Sequence, residues 1–276
     1  GGRAEVLLLR PSEAPRYDVR ASRWRALVKP GRKIHAGDRI AFGELGEARV
    51  VRHLDDGVRE LELALAVPFE EFLARSGSLP LPPYVRDHSH EAQRRYQTIF
   101  AREPGSVAAP TASLHFTPPL FDALADRGVR IVKLVLDVGL GTFRPMQGER
   151  LDGHVMHGET YAIPQSTVDA VERARAEGRR IVAVGTTVMR ALEGNVAEHG
   201  RLRAGPGETA IFIKPGFPFC VVDALVTNFH LPQSTLFVLV SAFAGRERMQ
   251  RAYAIAMERE YRFFSFGDAM LLAPAG

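Results

Sequence analysis

Turn-forming residues recur every ten residues or so through the first quarter of the chain, and this spacing restricts the fold more than any other feature. The short apolar runs "AEVLLLR", "RWRALV", "DRIAFG", "EARVVRHL" and "GVRELELALA" are separated by Pro30-Gly31, Gly37-Asp38, Gly43 and Asp56-Gly57. Runs of this length are too short for helices that bury a face, but strands joined by tight turns fit them. Residues 1–67 are therefore expected to form a small all-β domain, an antiparallel barrel or sandwich.

A boundary follows. "PFEEFLARSG" places Phe69, Phe72 and Leu73 at helical spacing and stops at Gly77, after which "LPLPPY" continues no regular element. From residue 78 to 276 the texture changes to helices alternating with apolar strands. "TPPLFDALADRG" reads as a helix capped by Thr117, "IPQSTVDAVERARAEG" as one capped by Ser166, and "TTVMRALEG" as one starting at a strand's end. "VRIVKLVLDV", "RRIVAVG", "ETAIFI" and "CVVDALVTNF" read as strands, and "QSTLFVLVSAFAG" and "RERMQRAYAIAMERE" as two closing helices. The alternation predicts an α/β domain with a largely parallel sheet.

With 46% hydrophobic and 25% charged residues among 276, the chain has the composition of a packed globular protein. One cysteine, Cys220, excludes an internal disulfide and a cysteine-based metal site and suits a reducing cytoplasm. No apolar stretch is long enough to cross a membrane, so a cytoplasmic protein is expected. Basic residues exceed acidic ones by 36 to 32 and the pI is about 9.4, which admits a polyanionic partner without requiring one.

Several polar groups stand at element ends, where ligands bind. Gly185, Thr186 and Thr187 join a strand to a helix, whose free amides attract anions; a capped turn explains the same residues. "DVGLGTFRP" offers Asp137, Gly139, Gly141, Thr142 and Arg144 after a strand, though a dinucleotide fingerprint is not met. "GHVMHGE" supplies His154, His157 and Glu159, which with His115 or His230 would make a metal site and a metal-dependent hydrolase; a polar loop is the alternative. Thr111, Ser113 and His115 precede a helix, and Thr227, Asn228 and His230 end a buried strand in "TNFHLP". Either histidine is also explained by packing. Arg86, His88, His90, Arg94, Arg95 and Arg102 form one basic cluster and Lys29, Arg32 and Lys33 another, both suited to phosphates.

Taken in order, "LPLPPYV", "RYQTIFAREPGSVAAPTASLHFT", "LDVGLGTFRP", "HVMHGE", "VAVGTTVMRALE", "TAIFIKPGF", "TNFHLPQSTL", "VSAFAG" and "YRFFSFGDAMLL" resemble the S-adenosylmethionine:tRNA ribosyltransferase-isomerase family of queuosine biosynthesis. The resemblance implies an α/β barrel-like main domain, residues 78–276, and a small β-barrel domain, residues 1–67. It implies transfer and isomerisation of the ribosyl part of S-adenosylmethionine onto 7-aminomethyl-7-deazaguanine at the tRNA wobble position, with adenine and methionine released. S-adenosylmethionine is then a consumed co-substrate, with no separate cofactor and no metal.

Under this resemblance His115 and His230 are expected to act as acid and base. Asp137, Gly139, Gly141, Thr142, Arg144, His154, His157, Glu159, Gly185, Thr186, Thr187, Thr227 and Asn228 would bind substrate, and Arg94, Arg95, Arg102, Lys29 and Lys33 would meet the tRNA. The partner would be a tRNA with a GUN anticodon, and the protein a monomer. Two departures stand out. Gln233 occupies a position where the family commonly has lysine, and about 70 residues that usually come first are absent here, so an exposed sheet edge and an incomplete main domain are expected. An inactive tRNA-binding relative is the competing reading.

Overall fold

The structure, a computed structural model, describes residues 2–12, 19–82, 84–85, 87, 89–102, 106, 108–138, 156 and 158–275. Its contacts divide the chain into two compact units, one of residues 1–93 and 104–107 and the other of residues 94–103 and 108–276. Each has a hydrophobic core of its own.

In the first unit the five expected strands are β1 (Glu5–Pro11), β2 (Ala21–Lys29), β3 (Arg39–Ala41), β4 (Gly46–His53) and β5 (Val58–Leu65), all paired antiparallel in the order β1-β2-β5-β4-β3. Alternation sends Trp24, Ala26 and Val28 of β2 and Leu61, Leu63 and Leu65 of β5 to one buried face. The β4–β5 turn shows why its residues were chosen. Asp56 and Gly57 have φ of 58° and 75°, and Val58 N–H donates back to the Asp55 carbonyl, the geometry of a tight turn that matches strand twist. The sheet is open. Among the described residues β1 and β3 are unpaired edges, so the barrel expected here is not closed.

Helix α1 (Phe69–Ser76) seats Phe69 on Trp24, ring centroids 4.7 Å apart, and so covers one end of that core. The unit also contains most of the short helix α2 (His90–Arg95), extending past the residue 67 limit expected for it.

The second unit runs α3 (Pro118–Asp126), β6 (Val135–Asp137), β7 (Glu159–Ile163), α4 (Gln165–Ala176), β8 (Val182–Val184), α5 (Thr186–His199), β9 (Gly205–Thr209), β10 (Ala224–Asn228), α6 (Thr235–Ala244), α7 (Arg246–Glu258) and β11 (Ala269–Leu272). Its core gathers Ile163, Met189, Leu225, Leu239, Val240 and Phe243. No described helix is long and apolar enough to cross a membrane.

The α/β texture is observed; the parallel sheet is not. Two three-stranded sheets occur, β11-β10-β8 and β6-β7-β9, and β8–β10 is the one parallel pairing among the described strands. The two helices α6 and α7 turn the chain twice between β10 and β11, so β11 enters antiparallel. β9 also lies earlier than expected, on "GPGET", because its ladder partner is β7; Ile213, expected in the strand, instead packs into the core. Ser166 caps nothing. Helix α4 starts at Gln165 behind Pro164, whose fixed φ already suits a helix start, and Thr117 precedes α3 without a side-chain bond. Ser234 does cap α6, accepting from Phe237 N at 3.2 Å.

Candidate active site

Because β8 and β10 are parallel, their carboxyl ends fall on one edge, the edge where open α/β sheets bind ligands. Gly185 N–H adds a further rung by donating to the Val226 carbonyl at 2.8 Å, and its φ of 102° then turns the chain into α5. That backbone conformation explains the glycine. A single helical turn, Thr111–His115, lies against this edge. A Cβ on Gly185 would stand 3.8 Å from the Ala112 methyl group, and Ala108 N–H donates to the Val138 carbonyl just past β6 at 3.2 Å. One segment thereby ties together the ends of three strands.

At its centre is Asn228. Its side-chain nitrogen lies 2.9 Å from His115 Nε2 and donates to the Phe264 carbonyl at 3.2 Å, while Thr111 Oγ1 donates to its oxygen at 3.4 Å. Partial burial lowers the His115 pKa, an effect opposed by the Asp268 carboxylate. Asp268 itself accepts from Arg262 N at 2.7 Å, closing the turn that carries Phe264. His115 is half-buried, so its ring remains accessible.

His230 is placed differently. Adjacent strand residues point to opposite faces, so Thr227 reaches away from Asn228, and its hydroxyl lies 2.9 Å from His230 Nε2. His230 N–H donates to Tyr253 Oη at 2.7 Å within a buried aromatic cluster. Burial pushes the His230 pKa down to about 4 and the Tyr253 pKa up to about 12. Of the two histidines expected as acid and base, His230 is thus packed and neutral beside Thr227, while His115 stands half-buried beside Asn228.

Thr186 is buried and Thr187 half-buried at the start of α5, where no side chain caps the helix. Glu159 lies beside Arg190 of α5, oxygen to Nη1 2.5 Å, with both side chains almost fully buried; its carboxylate is engaged by the protein. Asp137 is exposed and, with Val135, Thr160, Ala162, Pro206 and Glu208, lines a shallow groove of about 460 Å³ on the β6-β7-β9 sheet. Gly139, Gly141, Thr142, Arg144, His154, His157, Arg86 and His88 lie outside the described residues. Among those described, no three His, Cys, Asp or Glu side chains are grouped to hold a metal ion. Lys29, Arg32 and Lys33 are exposed in the first unit, Arg94, Arg95 and Arg102 in the second.

Sequence reasoning missed Asp268, Phe264, Tyr253 and Glu193. Glu193 is fully buried, accepting from Cys220 N at 2.8 Å and from Val221 N and Val222 N at 2.9 Å each. An acid in the run "RALEGN" at a helical position facing the core was the signal available for it. Asp268 and Phe264 had none, because a turn's chemistry depends on what it packs against.

A family model described as Queuosine biosynthesis protein matches residues 1–272. Over 273 residues the chain is 49% identical to a protein of Geobacter metallireducens called S-adenosylmethionine:tRNA ribosyltransferase-isomerase, covering 99% of this chain and 78% of that one. A protein of the same name from Symbiobacterium thermophilum is 51% identical over 273 residues, with the same 99% and 78% coverage. The crystal structure of an S-adenosylmethionine tRNA ribosyltransferase from Thermotoga maritima is 35% identical, covers 97% of this chain and 74% of its own, and superposes with a TM-score of 0.49.

Proposed function

The chain belongs to the queuosine biosynthesis protein family and is an S-adenosylmethionine:tRNA ribosyltransferase-isomerase, and on that premise we propose where and how it performs the transfer. The ribosyl part of S-adenosylmethionine moves onto the aminomethyl nitrogen of 7-aminomethyl-7-deazaguanine at the wobble position of a tRNA with a GUN anticodon. Adenine and methionine leave, and the transferred group rearranges to an epoxycyclopentanediol. S-adenosylmethionine is consumed, and the protein works as a monomer without a further cofactor.

The reaction makes three demands. A proton must leave the carbon beside the sulfonium, charge building on the departing adenine must be stabilised, and the carboxylate and ribose must be held in place. His115, half-buried at the strand ends, meets the second by donating a hydrogen bond to the leaving base. With Gly185 turning the chain into α5, the first-turn amides of Thr186 and Thr187 suit the carboxylate, and exposed Asp137 suits ribose hydroxyls. Lys29, Lys33, Arg94, Arg95 and Arg102 meet tRNA phosphates. The observation that carries this reading is His115 held by Asn228 over the carboxyl ends of β8 and β10.

Incubation with S-adenosylmethionine and tRNA bearing 7-aminomethyl-7-deazaguanine tests it. Adenine should appear in step with a matching gain in nucleoside mass, and His115→Gln should slow turnover about 10²–10⁴-fold. Adenine release at the parent rate from His115→Gln would remove His115 from the reaction.

A further inference from the structure

The Asn228 amide has one neighbour whose character is beyond choice. The Phe264 carbonyl only accepts, so the atom 3.2 Å from it is the nitrogen Nδ2. That nitrogen has a second hydrogen and no lone pair to offer, and it stands 2.9 Å from His115 Nε2. His115 Nε2 must therefore accept, which means that it carries no proton. The Thr111 hydroxyl, donating to Oδ1 at 3.4 Å, fits the same amide orientation.

We propose that Asn228 is a positioning residue that holds His115 as the neutral ring with its proton on Nδ1, so that the site is offered a hydrogen-bond donor and not a base. The inference rests on the reading that His115 faces S-adenosylmethionine. It assigns the proton acceptor for the carbon beside the sulfonium to a group other than His115, and it gives the leaving adenine a donor that needs no prior protonation.

The backbone around the pair is shaped to this end. Phe264 adopts φ of 70°, a left-handed conformation that bulky residues rarely take, and its N–H is anchored on the Phe229 carbonyl at 3.1 Å. In that conformation its carbonyl receives both Gly267 N–H, at 3.0 Å, and the Asn228 amide. The charged groups of that turn are Asp268, which favours a protonated ring, and Arg262, 4.0 Å from Asp268. Asn228 opposes Asp268, because a proton on Nε2 would set N–H against N–H.

The test uses the full chain labelled with ¹⁵N-histidine, observed by long-range proton–nitrogen NMR at neutral pH, with His115 signals identified by their loss in His115→Gln. A protonated Nδ1 and a bare Nε2 are expected; a proton on Nε2 would overturn the proposal without requiring any change at Asn228. Asn228→Asp replaces the donor by an accepting carboxylate, so the His115 titration should move up by about 1–3 pH units. Above that raised titration the neutral ring of the variant carries its proton on Nε2, facing the carboxylate, and leaves Nδ1 bare, so adenine release there should fall at least about tenfold while KM for S-adenosylmethionine changes less. A His115 titration that does not move in Asn228→Asp overturns the role given to Asn228. If His115→Gln keeps the parent rate, the catalytic reading fails while the tautomer, read from the spectrum, stands on its own.

Discussion

His230 is buried and its N–H donates to Tyr253, whose ring packs on Phe229, Phe237 and Phe263, and burial that disfavours the charged imidazole makes folding sensitive to acid. Its pKa is about 4 in the folded chain against 6.5 when unfolded. As pH falls from 6.5 towards 4 the unfolded chain takes up a proton that the folded chain refuses, so stability is lost over that window, by about 3 kcal/mol in total. His115, whose pKa is also lowered, contributes in the same sense. Urea midpoints at pH 7 and pH 4.5 should differ clearly in the parent and less in His230→Gln; equal differences would clear His230 of this role. The run "TNFHLP" placed its polar residues at the end of a buried strand but left their directions open. Side-chain alternation along β10 decides that Asn228 meets His115 while Thr227 meets His230, and this required knowing where the strand ends.

At the scale of elements, the buried Glu159–Arg190 pair joins α5 to β7, and Arg190 Nε also donates to the Ile211 carbonyl at 3.2 Å. Removing one partner strands a charge in the core. Arg190→Met should cost about 3–5 kcal/mol, and adding Glu159→Gln should recover much of it, since no unpaired charge then remains. A double variant as unstable as the single one would show that packing of the arginine stem, and not its charge, matters. Elements fixed by local chemistry were legible in sequence: the Asp56-Gly57 hairpin, the start of α5 at Gly185, the stop at Gly77. β9 was not, because Gly205, Pro206 and Gly207 have little strand preference and are held in the ladder by β7. The same applies to sheet direction, which depends on how many helices intervene and not on any strand's own residues.

For the molecule as a whole, a net charge of +4 supports binding to a polyanion, and such binding weakens as salt rises because counterions return to the phosphates. Lys29 and Lys33 are exposed, so Lys29→Ala with Lys33→Ala should flatten the dependence of log affinity for tRNA on log salt by about one unit per lost phosphate contact. An unchanged slope would place the tRNA elsewhere. One more property of the whole chain follows from Cys220. It is exposed, it is the only cysteine, and Glu193 grips its backbone N–H from inside the core. A thiol-reactive dye will therefore attach at a single known place, on the surface end of a strut whose other end is buried in α5. Its fluorescence would report on the surroundings of that strut without any engineered label site.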